Sequence, residues 1–129
     1  MFTIDQISEA HKKVKSGADF PDYIQEIKAL GVVAYDQYVS DGHTKYLGDD
    51  EFEIISPPKY ASLNIAETGD IAKLKHVLKI HQNGQTDYFT FCQQSADAGV
   101  EKWVVDIEKL LCTYYDKIGN EMVVEVIPS

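Results

Sequence analysis

The sequence predicts an α+β fold made of two tandem units, each with two helices followed by three antiparallel strands. Three observations lead to this prediction. The chain twice passes from helical to strand periodicity, a proline-containing break separates the two runs, and matching positions of the two runs carry similar residues. We predict one domain, with a first unit at 1–55, a linker at 56–67 and a second unit at 68–129. A chain of 129 residues can bury a core without disulfides or metals.

Two helices are predicted at the start of the first unit. Thr3–Gln6 has the pattern of a capping box, in which Thr caps the helix and Gln stands three residues later. Apolar residues then recur at helical spacing as far as Val14, and Gly17 is predicted to end this helix. A second helix is predicted from about Asp19 to Gly31.

Three strands complete the first unit. Val32–Val39 is a run with strand composition, and Asp41-Gly42 is a strong signal for a two-residue hairpin. Returning strands are predicted at Thr44–Leu47 and Phe52–Ile55. Two prolines in Ser56–Lys59 then interrupt regular structure, so the boundary between the units is placed there.

The second unit repeats this order. Tyr60–Ala66 is predicted as a short extra strand. Thr68, with Asp70 just inside, is predicted to open the third helix, and Asn83-Gly84 to close it. The fourth helix is predicted to be capped by Thr86.

An antiparallel meander is the strongest prediction. Strands are expected at Gly99–Ile107, Leu110–Asp116 and Glu121–Ile127, with a glycine-bulge turn at Asp116–Asn120. Glu108-Lys109 is expected to form a tight link between the first two strands. Because Glu-Lys is poor chemistry for a two-residue turn, the alternative is a longer or bulged link. If Asp116 faces Asn120, one sheet face carries an apolar set. This set is Trp103, Val105, Ile107, Leu110, Cys112, Tyr114, Met122, Val124 and Val126. The opposite, largely wet face then holds Lys102, Asp106, Thr113, Tyr115, Glu121 and Glu125.

The two units resemble each other residue by residue. Leu30–Val32 matches Ala98–Val100, and the register then holds without a gap. The other matches include Asp22-Tyr23 with Asp87-Tyr88, Tyr35 with Trp103, Thr44 with Cys112, and Tyr46 with Tyr114. The pattern predicts a duplicated unit with a pseudo-twofold axis between the copies. The alternative is coincidence between two ordinary αβ runs.

The charge and composition of the chain argue against some classes of binding partner. The net charge is −9, and all 12 basic residues are lysine. Nucleic acid and anionic membranes are therefore not expected to bind, since both require a basic surface. No run approaches the length of a membrane span, and the start has no signal-peptide pattern, so we expect a cytoplasmic protein with reduced cysteines.

Five segments resemble a known family. They are Asp41–Tyr46, Gln85–Tyr88, Phe91-Cys92, Gly99–Asp106 and Cys112–Lys117. Together they look like the YbcV-like family of small bacterial and prophage proteins, which are often labelled "phage envelope protein". The resemblance covers essentially the whole chain. It implies no catalytic residue, because that family is a domain of unknown function.

Catalytic and metal-binding patterns are weak. His76 and His81 are five residues apart on one helix, so they point in different directions. A zinc site from His81, Cys92 and Cys112 would need tertiary contacts, and we expect neither a metal nor a cofactor. His43 follows a turn, where a structural role competes with acid–base chemistry, and Cys92 in a helix is expected to be buried.

The aromatic residues suggest a binding role. Rings at related points of the two units could line a cleft between them, which would suit a planar or cationic organic ligand, or they could simply form the core. The candidate ligand-binding residues are Tyr35, Tyr46, Tyr88, Trp103, Tyr114 and His43. We therefore expect a binding domain, whose wet sheet face could form a homodimer contact. The alternatives are a small enzyme using His43 or Cys92, and a prophage accessory protein acting by protein contact.

Overall fold

The computed structural model describes residues 2–14 and 19–127, which form four helices and one six-stranded antiparallel sheet. The first unit contains α1 (Ile4–His11), α2 (Phe20–Leu30), β1 (Val32–Tyr38), β2 (Thr44–Gly48) and β3 (Glu53–Ile55). The second contains α3 (Ile71–Gln82), α4 (Tyr88–Asp97), β4 (Lys102–Asp106), β5 (Leu111–Tyr115) and β6 (Glu121–Val126). The α+β class is confirmed, whereas the duplication and the unit boundaries stay predictions. None of the described helices has the length and apolarity needed to cross a bilayer.

The two units share one sheet, with strand order β3-β2-β1-β4-β5-β6. The first strands of the units pair antiparallel at the centre, so that Tyr35 lies opposite Val105 and Gln37 opposite Trp103. Burial alternates along these strands. The buried side chains therefore share one face, which we call the inner face, and Phe91 of α4 packs there against the ring of Trp103.

Helix α1 is shorter than predicted. The capping box of Thr3 and Gln6 forms as expected, with each side chain bonded to the backbone of the other residue. The helix ends at His11, however, and Val14 lies beyond it. The predicted stop at Gly17 falls outside the described residues. Helix α2 ends as predicted, with Gly31 at φ 109°.

Aspartates, not threonines, cap the helices of the second unit. The Asp70 carboxylate accepts a hydrogen bond from the backbone N–H of Lys73, so the predicted cap at Thr68 is wrong. Asp87 caps α4 in the same way by accepting from Thr90 N–H, so the predicted cap at Thr86 is also wrong. Both carboxylates are charged acceptors placed directly before the first helical residue, where the helix dipole favours negative charge.

The predicted strand at Tyr60–Ala66 does not form. This segment makes isolated backbone hydrogen bonds with two separate parts of the chain: Leu63 N–H donates to Ser40 O and Ala66 N–H to Ala96 O. Such scattered bonds do not build a ladder with one partner strand. The linker therefore connects the turn between β1 and β2 to α4.

The meander of the second unit is largely as predicted up to its last turn. Trp103 lies opposite Tyr114 and Val105 opposite Cys112, as the sequence indicated. The link between β4 and β5 is longer than two residues, because Leu110 adopts φ 56° within the turn and β5 begins only at Leu111. The predicted pairing of Ile107 with Leu110 as strand residues is therefore wrong.

A β-bulge changes the register of the last strand. Tyr115 pairs with Glu121 but Tyr114 with Val123, so Met122 is an extra residue on β6. Cys112 consequently faces Glu125 instead of the predicted Val124.

One residue of slip exchanges the two faces of a strand. Val124 and Val126, predicted on the apolar face, are 51% and 77% exposed. Glu125, predicted on the wet face, lies on the inner face beside Cys112.

Trp103→Ala should lower the free energy of unfolding by about 3–5 kcal/mol. The indole is only 6% exposed and packs against Phe91 and Tyr114, with ring centroids 5.4 and 5.8 Å away. Val126→Ala is the matched control on the same sheet and should change stability by less than about 0.5 kcal/mol. Urea denaturation measures both. Equal, small losses would show that the indole does not belong to the core.

Gly99→Ala should destabilise the fold more than Gly119→Ala by about 1–3 kcal/mol. Both glycines have a left-handed backbone, with φ 87° and 88°, so each variant bears a similar conformational cost of about 1–2 kcal/mol. A Cβ at Gly99 would lie 2.7 Å from the Gly69 Cα and 2.8 Å from the Thr68 carbonyl oxygen, whereas a Cβ at Gly119 meets nothing within 4 Å. Equal losses in urea denaturation would contradict this close approach.

Candidate functional site

A cleft with a volume of about 740 Å³ lies between the helices and the inner face of the sheet. Tyr35 and Tyr46 line it from the first unit, and Tyr88, Trp103 and Tyr114 line it from the second. Five of the six residues named as ligand-binding from the sequence are thus brought together at one cavity. Their role in binding stays a prediction.

His43, the sixth candidate, does not line this cleft. It lies between β1 and β2, where its ring stacks on Tyr38 at a centroid distance of 4.3 Å and an interplanar angle of 7°. Its Nδ1 contacts the Asp41 carboxylate, which also accepts from the His43 backbone N–H. These contacts give His43 a structural part in the hairpin turn.

The first unit contributes neutral hydrogen-bonding groups to the cleft. The hydroxyl of Thr44 donates to Gln37 Oε1 at 2.5 Å, and Gln37 Nε2 donates to the Gly42 carbonyl at 3.2 Å. The hydroxyls of Tyr23 and Tyr46 are hydrogen-bonded to each other. Burial raises the pKa of both phenols, which therefore stay protonated at neutral pH and offer hydroxyl groups without charge.

A row of aromatic rings crosses the second-unit end. His81 stacks on Phe91 at 4.2 Å, Phe91 packs against Trp103, and Trp103 packs against Tyr114. All four side chains line the cleft. The row ends at Glu125, because the Tyr114 hydroxyl donates to Glu125 Oε1 at 3.3 Å.

Glu125 is the site residue that sequence reasoning missed. Gln82 of α3 donates from Nε2 to Glu125 Oε2 at 2.9 Å, so the half-buried carboxylate is held by one helix and one strand. Along β6, both sets of alternating positions contain apolar residues. Val123 and Ile127 belong to one set, and Met122, Val124 and Val126 belong to the other. Alternation alone could not decide which set faces inward.

Three basic side chains also line the cleft: His11, Lys59 and His81. Burial lowers the pKa of all three, and the nearby Lys59 ammonium lowers the pKa of His11 further. Both imidazoles are therefore neutral at pH 7. His81 Nδ1 is within hydrogen-bond distance of the Thr86 carbonyl oxygen (3.1 Å), which suits the tautomer protonated at that nitrogen.

Both thiols are buried, as the sequence predicted. Burial raises the pKa of Cys92, and it raises the pKa of Cys112 to about 12. A thiol that stays protonated is a poor nucleophile and a poor metal ligand. Within residues 2–14 and 19–127, no group of three His, Cys, Asp or Glu side chains is placed to hold a metal ion.

Comparisons with known proteins found relatives without an assigned activity. A family model described as "Protein of unknown function (DUF1398)" matches residues 8–126. The "Uncharacterized protein YcgX" of Escherichia coli strain K12 is 23% identical to this chain over 104 residues, which are 81% of the chain and 78% of that relative.

Both thiols should resist alkylation by iodoacetamide in the folded protein near neutral pH. The cause is their raised pKa: the reactive thiolate forms only as the pH rises toward the pKa, about 12 for Cys112. Mass spectrometry after timed labelling measures the rate for each cysteine, with the guanidinium-unfolded chain as the control that should react quickly at both positions. Folded-state labelling as fast as in the unfolded chain would contradict the described burial.

Proposed function

The chain belongs to the DUF1398 family of unknown function, and we propose that it is a binding protein that holds a small planar aromatic molecule in the cleft between its units. The observation that carries this proposal is the convergence of Tyr35, Tyr46, Tyr88, Trp103 and Tyr114 on one cavity. Their spread over both units means that the cavity exists only when the two meanders are joined.

The size and lining of the cleft support this proposal. Its volume of about 740 Å³ falls within the range of roughly 300–1,000 Å³ that is usual for small-molecule sites. Such sites combine apolar and aromatic walls with a few placed polar groups. Here Phe20, Leu78 and Phe91 add apolar surface, while Gln37 and Glu125 add hydrogen-bonding groups.

Aromatic side chains give a planar ligand more than burial alone. Rings in offset or edge-on contact gain about 0.5–1.5 kcal/mol beyond the area they bury. In the cleft the rings of Trp103 and Tyr114 are inclined by 46°, as are those of Tyr35 and Tyr46. A flat molecule entering between the units can therefore make face and edge contacts with several rings at once.

The alternative of an enzyme using Cys92 or His43 has less support. Cys92 is fully buried, its pKa is raised by burial, and it bonds to the hydroxyls of Tyr60 and Tyr88. His43 lies in a hairpin turn outside the cleft, with its ring nitrogen held by Asp41. Neither side chain is positioned to meet a molecule bound among the five aromatic residues.

A second candidate function is protein contact through the edges of the sheet. Val124 and Val126 on edge strand β6 are exposed, and so is Ile55 on the other edge strand, β3. Exposed apolar edge strands are suited to pairing with another chain. This surface would serve a homodimer or a cytoplasmic prophage accessory protein, the role that the resemblance to the YbcV-like, "phage envelope" proteins suggests.

Tyr88→Ala should weaken binding of an aromatic probe by about tenfold or more, because Tyr88 lines the cleft. Phe89→Ala is the matched control: the next residue of the same helix is exposed and does not line the cleft, so the affinity should stay unchanged. Isothermal titration calorimetry with naphthylmethanol, a neutral planar probe, measures both affinities.

The proposal fails if naphthylmethanol and a wider set of planar aromatic compounds neither bind in calorimetry nor raise the melting temperature at millimolar concentration. Binding that Phe89→Ala and Tyr88→Ala weaken equally would place the site elsewhere. Analytical ultracentrifugation of the same samples tests the second candidate, since a dimer that Val126→Asp dissociates would favour it.

A further inference from the structure

We infer that the ligand of this cleft is an organic cation whose protonated nitrogen pairs with Glu125. This inference rests on the proposed binding function and adds to it the charge of the ligand. The ligand class is an amine or other protonated nitrogen attached to a planar apolar body, which lies on the aromatic row beside Glu125.

The bulge at Met122 places the Glu125 carboxylate inside the cleft. Without that extra residue, Val124 would lie opposite Cys112 and Glu125 would point away from the helices. With it, Glu125 lines the cleft at the end of the aromatic row. The inner face of the sheet thus carries Glu125 at the position that Val124 would occupy without the bulge.

The charge of Glu125 has no cationic partner among the described residues. Its two hydrogen bonds come from the neutral donors Gln82 and Tyr114, and none of the ion pairs formed within the described part of the chain includes it. These two neutral donors orient the carboxylate but do not neutralise its charge. A half-buried carboxylate without a counter-ion costs free energy, which a cationic ligand would recover.

The neighbouring rings favour the same ligand charge. Tyr114 touches the carboxylate through its hydroxyl, and the indole of Trp103 lies 5.8 Å from the Tyr114 ring. The faces of Trp and Tyr attract cations, most strongly where water is excluded. The net charge of −9 adds a favourable long-range field for a cation.

The three basic side chains that line the cleft do not neutralise the Glu125 carboxylate. His11 and His81 are neutral near pH 7, as their lowered pKa indicates. Lys59 lies within electrostatic range of His11 and Cys92, and it forms no ion pair with Glu125. The ammonium of Lys59 therefore lies in the part of the cleft near α1 and α4.

Three probes of one shape separate the charge preference from binding itself: naphthylmethylamine, naphthylmethanol and naphthoate. Calorimetry at neutral pH should show that the wild-type chain binds the amine at least about tenfold more tightly than the alcohol, and the acid most weakly. Glu125→Gln should remove the preference for the amine while leaving the affinity for the alcohol within about twofold. The amide keeps one acceptor oxygen and presents an NH2 donor in place of the other. Gln82 can accept from that donor by turning its own amide so that Oε1 faces residue 125, so this variant should fold.

Glu121→Gln is the matched control. It removes the same charge from the same strand at an exposed position, and it should leave the preference for the amine unchanged. The comparison of the three probes on the wild-type chain needs no variant, so it decides the charge preference even if Glu125→Gln does not fold.

Each outcome has a separate meaning. Equal binding of amine and alcohol, or tighter binding of the acid, overturns the cation inference and leaves the proposed binding function intact. A preference for the amine that survives in Glu125→Gln also overturns the inference, because another group would then supply the charge. Failure of all three probes to bind counts against the proposed function itself.

Discussion

The antiparallel pairing of β1 with β4 is the contact on which the rest of the molecule depends. It joins two three-stranded meanders into one sheet and places Gln37 opposite Trp103 at the seam. Four buried aromatic side chains of the inner face are thereby carried on four strands from both units. The helices then cover this face incompletely, and the cleft lies where the helix layer and the joined sheet leave space.

Local signals in the sequence were sufficient for much of this fold. The capping box at Thr3, the glycine that ends α2 and the register of Trp103 with Tyr114 depend on residues close in sequence or on simple alternation, and all three form as predicted. The pairing of β1 with β4 was not specified, because which strand edges meet depends on contacts between distant segments. The caps of α3 and α4 were misplaced by one or two residues, since several adjacent residues could accept the same backbone N–H groups.

The bulge in β6 shows why the site was predicted only in part. Five of the six candidate residues line one cleft. They were named because the sequence predicts that aromatic positions correspond between the two units. Glu125 was assigned to the wrong face, because a single inserted residue reverses every later side chain of a strand. That reversal places the Glu125 carboxylate at the Tyr114 end of the aromatic row. Under the binding proposal, the rings alone favour no ligand charge, whereas Glu125 favours a cation.

Nuclear Overhauser effects across β5 and β6 test the inward position of Glu125 most directly. The structure predicts backbone contacts of Cys112 with Glu125 and of Thr113 with Val124, together with side-chain contacts between Glu125 and Gln82. Contacts of Cys112 with Val124 instead, with the Glu125 side chain free in solvent, would contradict it and remove the acidic end of the cleft.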